Sequence, residues 1–294
     1  MKRCNAKTAY YFLLGNPVDH SLSPLIHNAG FQALGINAVY LAAPVEAVDL
    51  GTAVKGLQAL AAGGCNVTSP FKEAVIPYLD QVAGEAKAIS SVNTIVNRQG
   101  SLYGTSTDGE GFYHALIKAA PDYCLGNPVL LIGAGGSARA VAYTLAQKGL
   151  KELYLVNRSL EKAEKLSALL QEQTPLNRCH TLPLTGAGLK EALTACYLIV
   201  YSLPLDAGEV ENALSEKDFN GDGKLFFDLR YSPAETMVMK AAAGVGAITH
   251  NGLGLLFRQA LLAFELFTGR AAPEEQMELA LKRYLEKEQQ DGRI

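Results

Sequence analysis

The sequence predicts an α/β protein made of two successive domains, and three observations carry that expectation. At 294 residues the chain is long enough for two domains of ordinary size. Short apolar runs rich in β-branched residues alternate with helical patterns along most of its length. Midway, Val129–Ile132 passes straight into a glycine-rich turn and then a helical pattern, which opens a βαβ unit.

Taken in order, residues 9–14 read as a first strand that ends at Gly15-Asn16-Pro17. Ser23 is placed to cap a helix that begins at Pro24. Leu25, Ile26, Ala29 and Leu34 give this helix its apolar face, and Gly35 closes it. Residues 37–45 form the second strand. A helix over 48–62 follows, stopped by Gly63-Gly64. Residues 65–68 are a short third strand, after which Ser69-Pro70 opens a helix with Lys72 in its first turn. A cation is disfavoured there by the helix dipole, so this lysine needs a partner or a use. Residues 91–96 and 102–103 flank Arg98-Gln99-Gly100-Ser101 as a hairpin, and a helix runs over 110–119.

In the central unit, Gly133-Ala134-Gly135-Gly136-Ser137-Ala138 is a G-x-G-x-x-A turn between a strand and a helix. Gly133 permits the tight turn, Gly135 lets a pyrophosphate approach the backbone, and Ala138 is small enough for close helix–strand packing. The helix N-terminus then offers N–H groups and a positive dipole end to phosphate. Gly149 stops the helix, and residues 153–156 return as a strand ending in Asn157-Arg158-Ser159. An NAD-binding chain presents an acidic residue at that strand end. Here Arg158, with Lys162 one turn on, suits a 2′-phosphate instead, so NADP is the expected cofactor. Beyond it the pattern predicts a helix over 160–170, strands near 180–184, 198–202, 225–229 and 247–249, and helices over 234–243, 252–268 and 273–287. The last two are expected to cross back onto the first domain. The domain boundaries read as 1–107, completed by 252–294, and 108–251.

Composition removes several classes of function. A net charge of −3 with no long Lys/Arg cluster excludes a nucleic-acid face. Five scattered cysteines without C-x-x-C spacing suggest neither a disulfide framework nor a metal site. The short apolar run at the N-terminus is no signal core, and no stretch approaches a membrane span. The expectation is a soluble, cytoplasmic protein. Asp19, His20 and His27 read as structural or surface groups.

Ser21-Leu22-Ser23-Pro24, Asn66-Val67-Thr68 with Pro70 and Lys72, Val92-Asn93-Thr94 and Thr107-Asp108-Gly109 form a series of polar strand ends. With the glycine turn, Asn157-Arg158-Ser159, the run from Asp228 to Pro233 with Thr236, and Gly252-Leu253-Gly254 through Gln259, this series resembles the shikimate dehydrogenase family, which includes quinate dehydrogenases. Motif, order and spacing match from Gly15 to about Phe267. The resemblance implies two α/β domains with a cleft between them, one binding substrate and one a Rossmann-like NADP domain. It implies reversible NADP-dependent oxidation of shikimate to 3-dehydroshikimate, with a homodimer as an allowed assembly. Lys72 and Asp108 would be the catalytic pair. Ser21, Ser23 and Tyr231 would hold the substrate carboxylate, and Asn66, Thr68, Lys72, Asn93, Asp108 and Gln259 would surround the ring hydroxyls. Gly133, Ala134, Gly135, Gly136, Ser137, Ala138, Asn157, Arg158, Ser159, Lys162, Tyr201, Leu229, Gly252 and Leu255 would line the cofactor, and no metal is implied.

The residues alone agree with this reading. A small polyol acid needs many convergent donors and acceptors, α/β sheets bind ligands at strand ends, and a lysine beside a carboxylate can move the alcohol proton. The chain departs from the family pattern at Ser69, Ser106, Leu255 and the run Tyr201-Ser202-Leu203-Pro204-Leu205-Asp206. Two alternatives compete: a quinate dehydrogenase using NAD or NADP, and a dinucleotide sensor without turnover. Lys72 and Asp108 argue against the sensor, which needs neither.

Overall fold

The computed structural model describes residues 4–204, 208–214 and 220–291. Leu205 and Asp206 therefore lie outside the described residues. The chain divides into two compact units, Met1–Gly111 with Leu256–Ile294, and Phe112–Leu255. Each has its own six-stranded sheet.

In the first unit, β1 (Ala9–Gly15) alternates side chains until its last three residues, all buried. Helix α1 (Ser23–Ala33) follows. Ser23 is its first residue rather than its cap, and the local hydroxyl acceptor is Ser21 Oγ, which takes the Ser23 N–H at 3.2 Å. Gly35, at φ 65°, closes the helix as expected. Then come β2 (Ala38–Pro44), a 3₁₀ turn at Ala47–Asp49, α2 (Leu50–Ala59) and β3 (Gly64–Val67). The α2 terminus is made by Ala61, at φ 51°, and not by Gly63-Gly64. Those glycines serve packing: a Cβ on Gly63 would meet the Tyr11 ring, and one on Gly64 the Ile95 carbonyl.

The segment carrying Lys72 is not a helix. Residues 69–75 form consecutive turns that run into a 3₁₀ turn at Ile76–Tyr78. Pro77 has no N–H, and its ring would collide with the carbonyl of residue 73 in a continuing helix. The helix-dipole argument for Lys72 falls with the helix. Strand β4 (Gln81–Val82) and helix α3 (Gly84–Ala88), too short to leave a pattern, lead to β5 (Thr94–Arg98) and β6 (Ser101–Thr105). Gln99 and Gly100, both at positive φ, make the two-residue turn between β5 and β6. The sheet runs β2-β1-β3-β5-β6-β4, with β1 parallel to its neighbours and β5 antiparallel to both of its own.

Helix α4 (Asp108–Ala119) leads to the second unit's strands β7 (Val129–Ile132), β8 (Glu152–Asn157), β9 (Arg178–Pro183), β10 (Leu198–Tyr201), β11 (Leu225–Asp228) and β12 (Ile248–His250). All are parallel, in the order β12-β11-β10-β7-β8-β9. Read from β7, that is the dinucleotide-fold order 3-2-1-4-5-6, with its switch point between β7 and β10. Helices α5 (Gly136–Gln147), α6 (Leu160–Gln173), α7 (Ala187–Ala195), α8 (Gly208–Leu214) and α9 (Met237–Gly244) connect them. Helices α7 and α8 escape the sequence reading. Helix α10 (Leu253–Thr268) and α11 (Glu274–Gln290) end the chain, and α11 packs against α1. Among the described residues no helix is long and apolar enough to cross a membrane.

Candidate active site

Asn66, Lys72, Asn93, Thr94, Thr107 and Asp108 of the first unit meet in one hydrogen-bonded network. Asp108 is the first residue of α4, where the helix dipole favours a carboxylate. Lys72 Nζ donates to Asp108 Oδ2 at 2.5 Å, with side chains 15% and 6% exposed. The Lys72 carbonyl accepts the Val92 N–H at 2.8 Å, which ties its turn to the segment leading into β5. On the other carboxylate oxygen, Asn93 Nδ2 donates to Asp108 Oδ1 at 2.7 Å.

Hydrogen-bond logic orients the amides. The Thr107 N–H, an obligate donor, points at Asn93 Oδ1 at 2.8 Å. Nδ2 of Asn93 therefore faces Asp108. Thr94 Oγ1 then donates to Asn93 Oδ1 at 2.9 Å and accepts from Asn66 Nδ2 at 2.9 Å. A second Asn66 Nδ2 hydrogen goes to the Asn93 carbonyl at 3.1 Å. In this arrangement Asn93 aims Asp108 and presents no open amide. Gln259 borders the network through Oε1, 3.4 Å from both Asn93 Nδ2 and Thr107 Oγ1. Gly111 makes that approach possible, because a Cβ there would lie 2.8 Å from the Gln259 backbone nitrogen. Gly15 does the same for Thr68, whose Cγ2 would be 2.3 Å from an added Cβ.

Ser21 and Ser23 share their own bond and none with this network. Since Ser21 Oγ accepts there, its proton is left to donate outward. Tyr231 belongs to the second unit. Thr94 was given no role beyond its motif and Tyr40 was not singled out from the sequence, where strand alternation marks an inward face but not what a hydroxyl touches.

In the second unit the glycine turn fits a dinucleotide. Gly133 sits at φ 119°, and a Cβ there would press on the Ser202 carbonyl at 2.9 Å. Gly135 differs: it is extended, and an added Cβ would meet nothing within 4 Å. No internal packing demands glycine at 135, and a backbone left bare at an uncapped helix N-terminus suits phosphate. Ala138 is fully buried. At the end of β8, Asn157 Nδ2 holds the Ser159 carbonyl at 2.9 Å, and Ser159 caps α6. Arg158 and Lys162 are exposed and in no ion pair among the described residues, whereas Glu161 is engaged by Lys165 at 2.6 Å. The two cations are thus available to an anion.

Four residues expected at the cofactor are engaged by the protein's own packing. The Tyr201 side chain is fully buried in the core, stacked on Phe226, with the Arg230 guanidinium 5.1 Å from its ring centre. Arg230 is held in turn by the buried carboxylate of Asp228, at 2.6 Å. Leu255 belongs to the second unit's apolar core, and Leu229 packs against it. Gly252 is a packing glycine, since a Cβ would lie 2.0 Å from the Leu229 carbonyl oxygen. Among the described residues, no group of three or more His, Cys, Asp or Glu side chains could hold a metal ion.

Three family models match the chain: the shikimate dehydrogenase substrate binding domain over residues 13–95, shikimate/quinate 5-dehydrogenase over 117–229, and the shikimate 5′-dehydrogenase C-terminal domain over 252–282. A shikimate dehydrogenase (NADP(+)) of Desulforamulus reducens is 40% identical over 287 residues, 97% of this chain and 98% of the relative. That of Carboxydothermus hydrogenoformans is 42% identical over 282 residues, 95% and 98% of the two chains. Among solved structures, shikimate 5-dehydrogenase from Listeria monocytogenes, in complex with shikimate and NAD, has a TM-score of 0.85 at 31% identity, covering 96% of this chain and 99% of that one. Near-full-length relatives and models spread along the whole sequence agree, and the chain belongs to the shikimate dehydrogenase family.

Proposed function

We propose that this chain catalyses the reversible NADP-dependent reduction of 3-dehydroshikimate to shikimate, with Lys72 and Asp108 as the acid–base pair. The observation that carries the assignment is the buried 2.5 Å contact between Lys72 and Asp108, aimed by Asn93. NADP held by the second unit's glycine turn would supply or accept the hydride. In the reduction, Lys72 gives a proton to the oxygen of the former ketone, and in the oxidation it takes that proton back. Asp108 holds the lysine in place and balances its charge. Ser21 and Ser23 take the substrate carboxylate, with Asn66, Thr68 and Gln259 at the ring hydroxyls. Arg158 and Lys162 take the 2′-phosphate and the 133–138 turn the pyrophosphate. The first unit is accordingly the substrate domain and the second the cofactor domain. With all five cysteines free, a reducing cytoplasm suits the protein.

Steady-state kinetics with shikimate and quinate, each with NADP and NAD, test this reading. Shikimate with NADP is expected to have the highest kcat/KM, because a site that pairs every polar group of the flatter acid leaves some unpaired with the bulkier one. Higher efficiency on quinate, or no turnover of either acid, would overturn it.

A further inference from the structure

The hydrogen-bond chain that ends at Asp108 begins at a residue outside any site motif, Tyr40. Its hydroxyl donates to Asn66 Oδ1 at 2.8 Å. The direction is forced from the far end: the Thr107 N–H fixes Asn93, Asn93 fixes Thr94, and Thr94 fixes Asn66. Every step donates toward the carboxylate. An asparagine amide has two donor hydrogens and two acceptor lone pairs. In Asn66 both hydrogens are taken, by Thr94 and the Asn93 carbonyl, and Tyr40 takes one lone pair. One lone pair of Oδ1 is left.

Tyr40 is fixed at every part of the residue. Its ring is fully buried and stacks on His27 at 4.4 Å with 4° between planes. Its backbone N–H donates to Asn28 Oδ1 at 2.9 Å, and its carbonyl accepts from Asn28 Nδ2 at 2.8 Å. Burial pushes the Tyr40 hydroxyl well above its ordinary pKa, so it stays a donor over the working range of pH. A tyrosine restrained this fully is more than core filling.

We propose that Tyr40 is a specificity-determining positioning residue that locks the Asn66 amide so that only an acceptor faces the substrate, making Asn66 a reader of a substrate O–H. Carboxylates and ketones, which donate nothing, are not recognised at this position. The proposal rests on the activity given above.

A double-mutant cycle tests it, using Tyr40→Phe, Asn66→Ala and the double variant assayed with shikimate and NADP. Tyr40→Phe is expected to raise the KM for shikimate roughly 3- to 10-fold, the range of one neutral hydrogen bond, with kcat within about twofold on the same hydrogen-bond scale and the KM for NADP unchanged. Combined with Asn66→Ala it should add nothing further, because Tyr40 acts through that amide. Additive losses, or a fall in kcat at constant KM, would overturn the role. Should Tyr40→Phe not fold, Asn28→Ala loosens Tyr40 from outside the network. It should raise the KM for shikimate in the same direction by less, and an unchanged KM would count against the proposal. An unmodified enzyme inactive on shikimate would overturn the underlying reading and this one with it. An active enzyme with an additive cycle overturns Tyr40 alone.

Discussion

Lys72 and Asp108 could owe their contact to stability alone, and a pair of substitutions separates that from catalysis. Lys72→Met keeps the aliphatic stem and removes the ammonium. The carboxylate of Asp108 is then left 6% exposed, with Asn93 still donating to it. Removing one member of a buried pair costs up to about 3–5 kcal/mol. Here the lysine side chain is 15% exposed, so water replaces part of what is lost. We therefore expect roughly 2–3 kcal/mol, the scale of one charge-assisted hydrogen bond, and a fall in Tm of about 5–10 °C. Adding Asp108→Asn removes the stranded charge and should return most of that stability. Activity should behave differently. Lys72→Met should lower kcat about 10²- to 10⁴-fold, with little change in the KM for shikimate, and the double variant should recover none of it. Calorimetry and steady-state kinetics on the three proteins measure both quantities. If kcat returns with Tm in the double variant, or if Lys72→Met raises KM while kcat holds, the acid–base assignment is wrong.

Other expectations concern the cofactor and the core. Arg158→Ala should lower kcat/KM with NADP about 10- to 100-fold, the scale of a charge-assisted fork, and change that with NAD far less. An equal loss with both would remove its role at the 2′-phosphate. Gly135→Ala should leave Tm nearly unchanged, since the added Cβ meets nothing, yet raise the KM for NADP. Gly252→Ala should lower Tm by several degrees, because its Cβ meets the Leu229 carbonyl at 2.0 Å; the reverse pattern would contradict the division between cradle and packing glycines. His27 is fully buried, and burial pushes its imidazole down to about 3. The unfolded chain binds the proton first, so this group's contribution is complete above about pH 6.5 and declines as pH falls toward 3. At pH 5 the loss is about 2 kcal/mol. His27→Phe keeps a ring against Tyr40 and should flatten the fall in Tm between pH 7 and 5; an unchanged slope would show that His27 does not titrate this way.

Much of this molecule was legible because a few residues have only one good explanation. Gly133 and Gly135 between a β-branched strand and an alanine-rich helix marked the dinucleotide unit, and Gly35 and Gly149 marked real helix ends. The Lys72 segment was misread because Ser69-Pro70 resembles a helix start while Pro77, seven residues on, forbids the helix. Tyr201 was expected to line the cofactor because of where it falls in the motif, but a strand's last inward residue is as easily core as site. Its burial depends on Phe226 and Arg230, which come from another strand and the turn after it. The His27 environment, with neither ring nitrogen bonded among the described residues, is a product of tertiary packing that no local pattern carries. Asn66, Lys72, Asn93, Asp108 and Gln259, which the motifs had marked, lie in or beside one network. Which of those amides would be occupied by neighbours could not be read without distances.

The bond pair between Asn28 and the Tyr40 main chain also bears on the outer edge of the sheet. Strand β2 is the outermost strand on its side of the first unit's sheet, and outer strands invite another chain to add on. At Tyr40 the outward N–H and C=O are both occupied by the Asn28 amide, so an incoming strand would find its docking groups already taken. Pro44, at the end of β2, has no N–H to offer. A side chain from α1 thus takes up one pairing position of this edge, and the bonds that hold Tyr40 still leave fewer groups for an added strand.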